Sequence, residues 1–233
     1  MRSKPTHCEV THMLGIFLIS CLSVAPVRCA SFLGQNEISG TEWVRISEAF
    51  NAYLKDPSPL HGRRLVKLLP NKRTIVNDED RAYRDYLSTL DLIFSPSGFG
   101  PFMLMVQKGD HYAVEAAFRI FNFSDGGAAE SIMIILGDAL RDHPGIFLEV
   151  IDKYRKQIDR EDLLSPAVMT RCEVGSEEER RELGLRIEAL NKVRTSKFTD
   201  LKNALIDEIE RYLKNFPYLF CYLALDSLYT TAF

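Results

Sequence analysis

The sequence predicts an all-α protein in which antiparallel helix pairs pack as a short irregular α-solenoid or helical bundle. Three observations carry this expectation. Apolar residues recur at three- and four-residue spacings along residues 42–216. Proline- and glycine-rich breaks cut that pattern into helix-length pieces. Runs of β-branched residues at period two, which mark a strand, are missing.

The N-terminal helices occupy residues 31–94. Residues 42–55 place Trp43, Ile46, Phe50 and Tyr53 or Leu54 on one face, and Asp56-Pro57-Ser58-Pro59 stops that helix. A second helix over 60–69 turns Leu65, Leu68 and Leu69 inward and ends at Pro70. Asn77 or Asp78 caps a third, which carries Ala82, Tyr83, Tyr86, Leu87, Leu90 and Phe94. Residues 95–101, SPSGFGP, form a break. A short helix follows to Gln107, and Lys108-Gly109-Asp110 turns the chain.

Residues 110–157 form the central core. The segment 112–121 is apolar nearly all round, leaving His111, Glu115 and Arg119 as a narrow polar stripe, and such a helix is buried on most sides. Gly126-Gly127 separates it from 128–141, with Ala129, Ile132, Met133, Leu136 and Leu140 inward, and His143-Pro144-Gly145 starts a helix carrying Phe147, Leu148 and Ile151. Residues 176–233 form a C-terminal hairpin and tail. Ser176 followed by Glu179 makes a capping box, and Glu177-Glu178-Glu179 complements the helix dipole. Leu183, Ile187 and Leu190 face inward, then Leu201, Leu205, Ile209, Tyr212 and Phe216 line a partner helix over 197–216. The aromatic tail 217–233 reads as a last helix docked on that hairpin.

Before all of this stands residues 13–30, MLGIFLISCLSVAPVRCA, an apolar run preceded by Arg2 and Lys4. It reads as an export signal over residues 1–30, placing residues 31–233 as a single helical domain in the periplasm or outside the cell. Leu18-Ile19-Ser20-Cys21 resembles a bacterial lipobox, so the alternative is a membrane-anchored lipoprotein acylated at Cys21. Loss of residues 1–30 removes Arg2, Lys4, Arg28 and Glu9, three bases and one acid, and takes the net charge from −3 to −5. A globally acidic exported chain disfavours nucleic acid as a partner. Of the cysteines, Cys172 and Cys221 then remain, and an oxidising compartment allows them either to pair or to stay as buried thiols.

Serial helix pairs over 110–151 and 42–69 resemble the α-solenoids of the HEAT and tetratricopeptide kind. That resemblance implies a concave surface for protein or peptide and no chemistry of its own. The residues themselves offer few catalytic patterns. His111 and Glu115 lie one turn apart, with Asp138, Asp142 and His143 as candidates to complete a metal site, yet the pattern His-Glu-x-x-His is absent. A solvent-facing stripe with a Glu115–Arg119 ion pair is the plainer reading. Gly98-Phe99-Gly100 follows no strand, so no nucleotide fingerprint and no cofactor is expected.

The charge feature that stands out is residues 61–73, where Arg63, Arg64, Lys67, Lys72 and Arg73 occur with no acid among them. It reads either as a solvated face or as a docking patch, with Tyr218 and Tyr222 as further contact residues. The expectation is an exported, non-catalytic binding or assembly module for a protein or cell-envelope partner, with peripheral membrane attachment if lipidated. The alternatives are an inhibitor or immunity-type protein that blocks one enzyme, and a small metal-dependent hydrolase built on His111 and Glu115.

Overall fold

The carboxylate of Glu42 accepts the Ser39 backbone N–H at 2.9 Å, and this contact opens the first helix, α1 (Gly40–Lys55). The computed structural model describes residues 39–70 and 82–229, with side chains described as far as residue 215. The expected leader, the acylation candidate Cys21, Lys72, Arg73 and the cap candidates Asn77 and Asp78 lie outside the described residues. Helix α1 buries Trp43, Ile46, Ala49, Phe50 and Tyr53, the face its spacing predicts. Pro59 then occupies the first position of α2 (Pro59–Leu68), where its missing N–H costs nothing. Gly62 lets α2 approach the helix that carries Tyr112 closely, since a β-carbon there would stand 2.6 Å from the Tyr112 ring.

Helix α3 (Ala82–Phe94) packs along α1. Of the expected stripe it buries Ala82 and Tyr86 and half-buries Tyr83, Leu90 and Phe94 against the core, and it adds Thr89 and Ile93 to the buried face. Leu87 is left exposed. Thr89 can go inside because its hydroxyl is satisfied there, 2.7 Å from Asp85 O and 3.2 Å from Trp43 O. Tyr86 donates its hydroxyl to Phe123 O at 2.9 Å, and the Trp43 ring meets Tyr86 and Phe123 edge-on, with centroids 5.1 Å away in each case. The Trp43 indole N–H is buried without an acceptor among the described residues.

The break expected over 95–101 shrinks to one residue. Ser95 caps α4 (Pro96–Gln107) by accepting the Gly98 N–H at 3.1 Å and donates its own hydroxyl to Leu92 O at 2.8 Å, so helix resumes at once. Among the described residues no single helix is long and apolar enough to cross a membrane, while the pair α3–α4, bent by 62°, passes by length and composition.

The centre follows the sequence pattern closely. Helix α5 (His111–Phe121) starts at Asp110, whose Oδ1 accepts the Ala113 N–H at 2.9 Å and the Tyr53 hydroxyl of α1. Its residues Ala113, Val114, Ala116, Ala117, Phe118 and Ile120 are almost fully buried. Helix α6 (Gly126–Asp142) contacts α4, α5, α7 (Pro144–Tyr154) and the later helix over Glu177–Lys192, which makes it the hub of the core. Two short pieces missed by periodicity follow: α8 (Arg160–Leu164) and a 3-10 turn over Ser165–Ala167, which bring Leu163, Leu164 and Ala167 into the core.

Helices α9 (Glu177–Lys192) and α10 (Thr199–Tyr229) pack on each other, joined through a 3-10 turn at Ser196–Phe198. Only half of the expected capping box forms. The Ser176 side chain accepts the Glu179 N–H at 3.1 Å, but the Glu179 carboxylate turns away to Gly175 N–H at 2.8 Å and Tyr212 O–H at 3.1 Å. The tail is not a separate helix up to Tyr229: α10 continues through Pro217. The described residues form no strand, and their helices pack as an irregular bundle of neighbouring pairs.

Candidate functional site

Helix α2 divides cleanly into two faces. Gly62, Leu65, Val66 and, just beyond the helix, Leu69 point inward. Leu60, Arg63, Arg64 and Lys67 recur at three- and four-residue steps on the other side, and all are exposed. Leu60 is 73% exposed, the largest value among the exposed large apolar side chains of the described residues. Arg63 donates Nε–H to Pro59 O at 3.2 Å, and neither it, Arg64 nor Lys67 forms an ion pair among the described residues. Apolar residues were expected only on the inner face, so the exposure of Leu60 is a feature that periodicity alone missed. The available signal was angular: Leu60 shares the side of its three basic neighbours, opposite Leu65 and Leu69.

The polar stripe of α5 faces solvent only at His111, while Arg119 is half-buried and Glu115 is buried. Glu115 is 3% exposed and accepts from Lys153 Nζ at 2.5 Å and from the Tyr154 hydroxyl at 2.6 Å. Arg119 does not pair with Glu115, because the Tyr154 oxygen intervenes and accepts Arg119 Nε–H at 2.6 Å. Arg119 Nη1 donates to Leu69 O at 2.8 Å, so one side chain ties the ends of α2, α5 and α7 together. Lys67, Arg119 and Lys153 each occupy the last turn of their own helix, where a cation opposes the negative end of the dipole. Burial, reinforced by the Glu115 carboxylate, pushes the Tyr154 hydroxyl above the ordinary tyrosine range and keeps it a neutral donor.

His111 Nε2 stands 3.8 Å from Glu115 Oε2, but the other candidate ligands go elsewhere. Asp138 accepts from Gln107 at 2.9 Å and Arg171 at 2.7 Å, Asp142 is held by Arg141 at 2.7 Å, and a His143 ring nitrogen lies 2.9 Å from Gln107 O. Among the described residues no group of three or more His, Cys, Asp or Glu side chains is placed to hold a metal. The Arg141 guanidinium holds the Asp142 carboxyl below the usual carboxylate range.

A further polar cluster has Arg186 at its centre. This side chain is 0% exposed, and Nη1 reaches Pro166 O and Ala167 O at 3.0 Å and Met169 O at 2.9 Å. Glu182 lies 3.4 Å from its Nε and also accepts from Arg141 at 2.8 Å. Burial lowers the guanidinium's proton affinity, offset by the charges of Glu182 and Asp138. Every strong contact of this cluster is internal, and it fastens the turn at 165–169 to α6 and α9.

No protein-family model, curated protein or solved structure matches this chain. Function is therefore read from the residues alone. Tyr218, Tyr222 and Cys221 lie in α10, beyond the described side chains. Cys172 is half-buried, with no disulfide among the described residues. Asn122, the first residue of an Asn-Phe-Ser triplet, is 4% exposed and so is closed to glycosylation in the folded chain.

Proposed function

We propose that this protein is an exported, non-catalytic helical binding module whose outward α2 face docks an anionic partner. One observation carries the reading: Leu60 stands exposed among Arg63, Arg64 and Lys67 on a helix whose opposite face is fully used by the core. Cations that already serve an internal partner, as Arg119 and Arg186 do, add little to recognition. Arg63, Arg64 and Lys67 form no ion pair among the described residues, Arg63 giving only its Nε–H to Pro59 O, and their charges are available to steer an encounter. The support for a non-catalytic role is the way the polar groups of α5, α6 and α9 satisfy one another.

The test is a pull-down with wild-type chain and with the Arg63→Glu/Lys67→Glu double variant as baits. Loss of a partner from the reversed bait supports the reading. Full retention would reduce the patch to a solvated face. If a captured enzyme loses activity in the complex, the protein is an inhibitor of the immunity type and not an assembly module.

A further inference from the structure

We infer that the occupant of the α2 face is an anionic lipid surface. The inference rests on the binding-module reading and names its partner. Leu60 does not stand on an isolated helix. The bond from Tyr53 to Asp110 and the contact of Gly62 with Tyr112 bring the α1–α2 corner against the α4–α5 turn. That arrangement adds exposed Lys55, in the last turn of α1, and exposed Lys108, the C-cap of α4, to the cations of α2. Pro57 and Pro59 are exposed beside Leu60, so the apex of this end is apolar.

Among the described residues the local acids do not cancel the charge. Within residues 55–69 and 107–112 the acids are Asp56 and Asp110. Asp56 faces His61 at 3.2 Å, and Asp110 is engaged by Tyr53 and by the start of α5. What remains is a surplus of positive charge spread over three elements around one apolar tip. A single carboxylate or phosphate would meet one of these elements. A plane of negative charge meets all of them together, while Leu60 reaches past the headgroups. Each basic residue near an anionic bilayer is worth about five-fold in partitioning, and one leucine alone anchors too weakly to hold the protein. An acidic protein with a pocket for Leu60 is the competing class.

The experiment uses the full chain with vesicles of phosphatidylcholine, alone or mixed with phosphatidylglycerol. Any apolar leader is then common to all variants, and the readout is local. Leu60→Trp adds an indole at the tip, while the native Trp43 is fully buried and silent to the surface. On vesicles containing phosphatidylglycerol its emission should shift to the blue, and the shift should fade with added salt. Arg63→Glu/Arg64→Glu in the same background should weaken that response by at least about ten-fold. An unmoved spectrum on anionic vesicles overturns the lipid assignment, as does a shift that the charge reversal leaves intact. If the lipid arm fails while charge reversal still removes a protein from the pull-down, the binding module stands and its partner is an acidic protein. If both fail, both readings fall.

Discussion

The guanidinium of Arg186 lies directly over Gly137, so close that a β-carbon on residue 137 would stand 2.5 Å from Nη1. An arginine of α9 thus uses the missing side chain of α6 as its seat, and its donors close the turn at 165–169. Gly137→Ala should destabilise the fold by about 1–3 kcal/mol through overpacking. Arg186→Met should cost about 3 kcal/mol, because it strips three backbone carbonyls and Glu182 of a buried donor. Urea denaturation of both variants checks this. Changes below about 0.5 kcal/mol in both would mean that the cluster is not a structural clamp.

The core prediction concerns Phe118 and Leu136, which are 1% and 0% exposed. Replacing either with Ala should lower stability by about 2–5 kcal/mol through lost burial and the cavity left behind. Equilibrium unfolding decides it, and an effect under about 1 kcal/mol at both sites would misplace the core.

Alkaline pH should loosen the fold. Burial, with help from Asp125, pushes the Tyr86 hydroxyl up to about 12, and burial with Glu179 does the same for Tyr212. Between pH 10 and 12 the folded chain keeps these protons while the unfolded chain releases them. Stability is therefore complete below pH 10 and declines as pH rises through about 12. Tyr212→Phe should flatten part of that decline in denaturation midpoints measured at increasing pH. A variant with the full wild-type slope would contradict a raised proton affinity at the Tyr212 hydroxyl.

The α5 stripe should behave as a brace. Tyr154→Phe breaks the link from Arg119 to Glu115 and should cost about 1–3 kcal/mol. His111→Ala, at an exposed position, should change stability by less than about 0.5 kcal/mol and leave partner capture intact. Loss of turnover or of bound metal in His111→Ala would instead favour the hydrolase alternative.

Charge reversal at Arg63 and Lys67 should act on encounter more than on residence. With any captured partner, the association rate of Arg63→Glu/Lys67→Glu should fall about ten-fold at low salt and depend less steeply on ionic strength. Stopped-flow or biosensor kinetics would show it, and an unchanged salt slope would remove these residues from the docking surface.

Strong periodicity made much of this architecture readable in the sequence. The inner faces of α1, α5 and α6 follow their apolar spacing, and the polar groups that join them, Glu115 and Asp138, go inside because other side chains satisfy them there. In α3 the pattern misled at two positions, since Thr89 goes inside once its hydroxyl is shared with backbone carbonyls, and Leu87 is turned out. Arg186 sits between Leu183 and Leu190 on the apolar side of α9, but a charged residue is ordinarily assigned to solvent. Leu60 was hidden for the converse reason. The pieces at 160–167 are too short to express a period at all.

The order in which the helices touch has a kinetic consequence. Every substantial pairing joins helices no more than three apart along the chain. Little loop entropy must be spent before contacts form, so refolding should be fast and need no distant segment to arrive first. For the same reason α1–α3 and α9–α10 share no substantial direct contact among the described residues. A partner seated on α2 would reach the C-terminal hairpin only through the central helices α4–α7.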